Sequence, residues 1–102
     1  MTITNKMLAA GADKYLKTFE QIKRMGTFGD GSKESCLKMI QEVYPKYTLN
    51  DLNMLLVAMD YAKLIEGLTI IDNQVVEPIR PKLTDKAIAE IEKRREMVKQ
   101  HD

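Results

Sequence analysis

One cysteine, one histidine and no long apolar run are what this sequence has least of, and each shortage closes a class of function. A lone Cys36 excludes an internal disulfide and suits a reducing compartment, so a cytoplasmic setting is expected. Cys36 also has no catalytic company. The only histidine is His101, next to last in the chain, and a Cys–His pair or a metal cluster needs more ligands than these. The longest apolar stretch, Met54–Met59, is far too short for a membrane span. Lys6, Asp13 and Lys14 interrupt the first residues and no apolar h-region follows, so neither a signal peptide nor a membrane partner is expected. No carboxylate pair stands out, and no internal repeat or low-complexity linker divides the chain. These shortages point away from an enzyme. No catalytic residue, cofactor, metal or small-molecule substrate is expected.

What is present fits one folded domain. The chain has 102 residues, 44% apolar and 30% charged, which suits a packed core and not a disordered segment. Seven methionines is a high count, and Met serves both as loose core filling and at adaptable contact surfaces; core filling is the simpler reading. The net charge of +1 hides a segregation. Residues 1–46 carry eight basic and five acidic side chains, for +3. Residues 47–79 carry Lys63 against Asp51, Asp60, Glu66, Asp72 and Glu77, for −4. Residues 80–102 carry seven basic and five acidic side chains, for +2.

Periodicity places the elements. Leu8, Ala12, Tyr15, Phe19 and Ile22 form one helical stripe, so a first helix is expected from an N-cap at Thr4 to Met25, closed by Gly26. Three glycines between Gly26 and Gly31 make a loop. Ser32 caps a second helix with Cys36, Leu37, Ile40, Val43 and Tyr44 on its apolar face, and Pro45 stops it. Thr48 and Asp51 have capping-box spacing and start a third helix that ends near Ala62 or Lys63. This helix is apolar on most sides, so it is either deeply buried or covered by a partner. At Leu64 the period falls to two. Residues 64–71 and Val75–Ile79 read as the strands of a hairpin around a turn at Asp72-Asn73-Gln74, with Pro78 at an edge. Thr84 caps a last helix whose buried side holds Ala87, Ile88, Ile91 and Val98. The expected class is α+β and mostly helical, in a single domain. Its parts are an N-terminal helix (1–25), two helices joined by a turn (32–63), a two-stranded hairpin (64–79) and a C-terminal helix (84–100).

Two helices on a short turn followed by a hairpin is the winged-helix arrangement. Leu64-Ile65-Glu66-Gly67-Leu68, the hairpin, and then Leu83-Thr84-Asp85-Lys86-Ala87 resemble the signature that closes the wing in MarR- and PadR-type regulators. The resemblance is closer to the YjcQ-like proteins, small winged-helix proteins of bacteria and their prophages. It covers residues 48–95 reasonably, with moderate specificity, and residues 1–47 by helix order alone. Lys63 and Ala87 stand where those proteins usually have glycine. The resemblance implies a winged-helix fold and, from the wider superfamily, DNA binding.

Other motifs reduce to structure. Gly26 and Gly31 have the spacing of a phosphate-binding loop, but Ser32-Lys33 reverses the order that the loop needs, and a helix precedes it where a strand is required. Asp30, Ser32 and Glu34 lack the later Gly and the Glu of a calcium loop. Glu90–Arg94, Glu92–Arg95 and Glu96–Lys99 read as a salt-bridged helix face, with Lys93-Arg94-Arg95 the alternative phosphate cluster.

Two binding readings remain, with equal weight. Double-stranded DNA would be held through its phosphates by Lys46, Arg80 and Lys82 while Asn50 and Asn53 face the groove. The acidic charge of the third helix and hairpin opposes this. A protein partner or a homodimer would instead use Met54, Val57 and Tyr61 on the third helix and the stripe of Leu8, Tyr15 and Phe19 on the first.

Overall fold

The computed structural model describes the backbone of residues 5–101 and the side chains of residues 11–99. In chain order the elements are α1 (Asn5–Phe28), α2 (Lys33–Gln41), α3 (Leu49–Tyr61), β1 (Ile65–Glu66), β2 (Thr69–Ile71), β3 (Gln74–Val76), β4 (Lys82–Leu83) and α4 (Asp85–His101). The fold is α+β and mostly helical, and the change of period at Leu64 marks the passage from helix to strand.

Gly26 does not close α1. The helix continues through Phe28, and the amide of Gly29 still bonds the carbonyl of Met25 at 3.1 Å. Glycine is there for a different reason. A Cβ at position 26 would lie 2.3 Å from the carbonyl oxygen of Pro81, so the missing side chain lets α1 approach the strand that leads into α4. Ser32 caps α2, accepting from the amide of Ser35 at 3.4 Å. That helix ends at Gln41, earlier than Pro45 requires, because the amides of Val43 and Tyr44 both turn back to the carbonyl of Ile40.

α3 begins and ends on motifs that satisfy its free backbone groups. Thr48 Oγ1 accepts from the amide of Asp51 at 3.1 Å, and Asp51 Oδ2 accepts from the amide of Thr48 at 3.0 Å, which completes the capping box. At the other end the amide of Leu64 reaches the carbonyl of Met59, and that of Lys63 the carbonyl of Asp60, each at 2.9 Å. This is a Schellman closure, with Lys63 at φ 62° in the place that favours glycine.

The hairpin turn is one residue tighter than the sequence suggests. Asp72 and Asn73, at φ 51° and 62°, form it alone, and Gln74 already pairs with Ile71. The return strand stops at Val76, before Pro78. β1 and β4 form a second antiparallel pair, Ile65 opposite Leu83 and Glu66 opposite Lys82, which periodicity did not disclose. Thr84 Oγ1 then accepts from the amide of Ala87 at 3.2 Å and donates to the carbonyl of Lys63 at 2.6 Å, so the cap of α4 is tied to the end of α3.

The core is shared by every helix. Phe19, Ile22 and Met25 of α1 meet Cys36 and Ile40 of α2, Leu52 and Leu56 of α3, and Ala87 and Ile91 of α4, with Ile65 and Val75 from the strands. α1 and α4 make the most extensive contact of any two elements. Among the described residues no helix is long and apolar enough to cross a membrane.

Candidate interaction surface

The residues expected to hold DNA sit on two segments, Lys46, Asn50 and Asn53 at and before α3, and Arg80 and Lys82 on the stretch that leads into α4. Lys46 and Asn50 are exposed at the start of α3. Arg80 spends a guanidinium N–H on the carbonyl of Gly29 at 2.9 Å, which fastens the loop before α2 to the segment after the hairpin. Lys82 lies on β4 and lines a groove against α1 and α4. Asn53 faces inward, with 1% of its surface exposed. Its Nδ2 donates to the carbonyl of Asn73 and its Oδ1 accepts from the amide of Val75, both at 2.9 Å. Both polar ends of the side chain are used to hold α3 against the hairpin, so Asn53 is not free to read a base edge. The sequence showed a polar residue on this helix but not that its partners lie 20 and 22 residues further on.

The expected contact residues also divide. Phe19 is 1% exposed and belongs to the core of its own chain, so it does not lie at an open seam. Tyr15 is half-buried, its ring tilted against Phe19 at 4.7 Å, with the Arg94 guanidinium over the ring at 4.9 Å. Burial raises the pKa of its hydroxyl, with the Glu90 carboxylate adding to the effect. The side chain of Leu8 lies outside the described residues. Val57 is half-buried at the edge of the core, whereas Met54 and Tyr61 are exposed at 43% and 89%.

At about 100° per residue, positions 50, 51, 54, 58 and 61 share one side of a helix. In α3 that side is the solvent side and reads Asn50, Asp51, Met54, Ala58, Tyr61. Tyr47, just before the helix, is also exposed and stacks on Tyr44 at 5.2 Å. Ile71, beside the hairpin turn, is a further exposed apolar side chain. Tyr47 and Ile71 were missed by sequence reasoning, because a single apolar residue in a loop or short strand carries no periodic signal. No Lys or Arg occurs between Leu49 and Ala62. The amide and hydroxyl of Thr48 hold the carboxyl of Asp51 below the usual aspartate range, so this face keeps its negative charge into mild acid.

Burial pushes the Cys36 thiol up, and the thiol points at the carbonyl of Ile79 at 3.7 Å, so it stays protonated and out of reach. Among the described residues no three His, Cys, Asp or Glu side chains gather as a metal site would need. The Glu90–Arg94 pair forms at 3.4 Å, as its spacing implied. Comparison with family models, with curated proteins and with solved structures finds no match.

Proposed function

We propose that this chain is a winged-helix module that works by binding a protein, without catalysis or cofactor, through the outward face of α3. In this reading α2 and α3 are the helix-turn-helix, the β2–β3 hairpin is the wing, and α1 and α4 are the flanking pair that supports them. The single observation that carries it is the chemistry of the α3 face. Met54, Ala58 and Tyr61 point to solvent beside Asp51, with no cation on the helix, while Asn53 is consumed inside. Duplex recognition asks the opposite of such a helix: donors aimed at base edges, in a positive field that displaces counterions. An exposed Tyr and Met on a regular helix are the kind of anchors that protein interfaces use.

The test places a photo-crosslinking residue at position 61 in the native host, with the same residue at Lys99 on α4 as the comparison. A protein adduct from position 61 alone is expected. In parallel, fluorescence anisotropy on duplex DNA at low salt should show no specific binding. Duplex binding with a salt slope of about 0.9 per phosphate contact, lost on Lys46→Ala and Asn50→Ala, would instead make α3 a DNA reader.

A further inference from the structure

We propose that the groove between α1, β4 and α4 binds a small amphipathic anion, a molecule with an apolar chain or ring and one acidic headgroup. This site is independent of the α3 face. The groove encloses about 840 Å³, within the range of about 300–1,000 Å³ typical of small-molecule sites. Its lining has an apolar part that the fold leaves open. Leu16 and Leu83 are half-buried there, and Ile88 is 46% exposed although it stands on the side of α4 that turns toward α1. Phe19 and Ile91 close the floor, and the tight contact between Gly26 and Pro81 lies in the same wall. Solvating this surface is unfavourable, and an apolar chain laid along it would remove that cost.

The charges around the groove select the headgroup. Each of the three walls contributes one cation: Lys23 from α1, Lys82 from β4 and Arg95 from α4. Two carboxylates also line it, Glu20 and Glu92, each one helical turn before a cation on the same helix. Lys82 faces Glu66 in the β1–β4 register. The ion pairs among the described residues are Lys17–Asp13, Lys38–Glu34 and Arg94–Glu90, so none of the three groove cations is committed to a carboxylate. A single acid group would find uncommitted donors at the rim while its chain lies on Leu16, Leu83 and Ile88. In the lining itself three cations stand against two carboxylates, so an anionic headgroup is favoured over a cationic one. A flat protein interface is the less favoured occupant, because the open apolar surface is concave and confined to three side chains.

The probe is dodecanoate, titrated below its micelle concentration into the full chain and followed by backbone amide shifts. Dodecyl maltoside and dodecyltrimethylammonium serve as neutral and cationic comparators. Dodecanoate is expected to saturate at one per chain and to shift the amides of Lys23, Leu83, Ile88 and Arg95, with both comparators at least about tenfold weaker. Ile88→Trp, which fills the groove, and the double substitution Lys82→Gln with Arg95→Gln should each weaken binding by a similar factor. All three positions are exposed, so the melting temperature of the unliganded variants should stay within a few degrees of the wild type. Three results would overturn the proposal: amides that do not move, comparators that match dodecanoate, or binding that survives Ile88→Trp. Concentration-dependent shifts at the groove without any ligand would overturn it too, by assigning the groove to a second copy of the chain.

Discussion

Asn53 shows how one side chain can be read two ways from sequence and only one way in the fold. An Asn on a helix after a turn is a sound choice for contacting adenine. Here it is sealed against the hairpin, with the amide of Val75 and the carbonyl of Asn73 as partners. Asn53→Ala would leave the buried amide of Val75 without a partner and is expected to cost about 1–3 kcal/mol. Asn53→Asp would keep the acceptor but turn a carboxylate oxygen onto the Asn73 carbonyl, and should lose stability as well. Chemical denaturation of both variants checks this. Two variants with wild-type midpoints would return Asn53 to the surface. Lys63 makes the opposite case, since a non-glycine residue at φ 62° is strained in the left-handed region. Lys63→Gly relieves the strain at some cost in chain entropy, and a net gain of about 0.5–1 kcal/mol is expected in the same measurement. The helix end near Lys63 was legible in the sequence, but its positive φ was not, because lysine gives no sign of it.

Among the elements, those whose signals are local were read most closely. Ser32, Thr48 and Thr84 each cap the helix expected of them, because a cap needs only residues within one turn. Thr48→Ala is expected to cost about 1 kcal/mol, or a fall of about 4–8 °C in melting temperature for a domain of this size. The reciprocal half of that box adds a pH dependence. Asp51 has a lowered pKa in the fold, held there by the amide and hydroxyl of Thr48. Its contribution is therefore complete above the ordinary aspartate value of about 3.9 and is lost as pH falls through the lower folded value. Asp51→Asn keeps an acceptor but removes the titration. Its melting temperature should fall less steeply than that of the wild type across the acid range, measured by circular dichroism. The features that escaped were those set by distant contacts. The β1–β4 pair joins two residues to two others 16 and 18 positions away, too short for any alternation to show. α1 runs past Gly26 because Pro81 needs room there, and nothing near Gly26 in the sequence says so.

At the scale of the whole molecule, segregated charge and one apolar stripe set the two questions that sequence alone left open. The acidic stretch at 47–79 maps onto α3 and the hairpin, and of the basic residues expected to offset it Arg80 is bonded to the carbonyl of Gly29 and Lys82 lines the groove against α1 and α4. The stripe on α1 admitted two outcomes, a seam in a symmetric dimer or a place in the core of the monomer. The described part of it takes the second. Phe19 is buried in a core that includes Ala87 and Ile91 of α4, and Tyr15 packs on Phe19 and meets Arg94 of α4. Truncating a fully buried Phe removes its contacts and leaves a cavity, so Phe19→Ala is expected to lower stability by about 3–5 kcal/mol. That is a large part of the roughly 5–15 kcal/mol that holds a domain together, and Phe19→Leu provides a milder variant that stays folded. Phe19 is buried within the single chain, so neither substitution changes its exposed surface. Sedimentation at matched concentration should therefore give the same mass for Phe19→Leu as for the wild type, whatever that mass is, while its melting temperature falls. A folded Phe19→Leu variant with an unchanged melting temperature and half the wild-type mass would mean that Phe19 lies between two chains, and that α1 and α4 pair across the dimer instead of within the monomer.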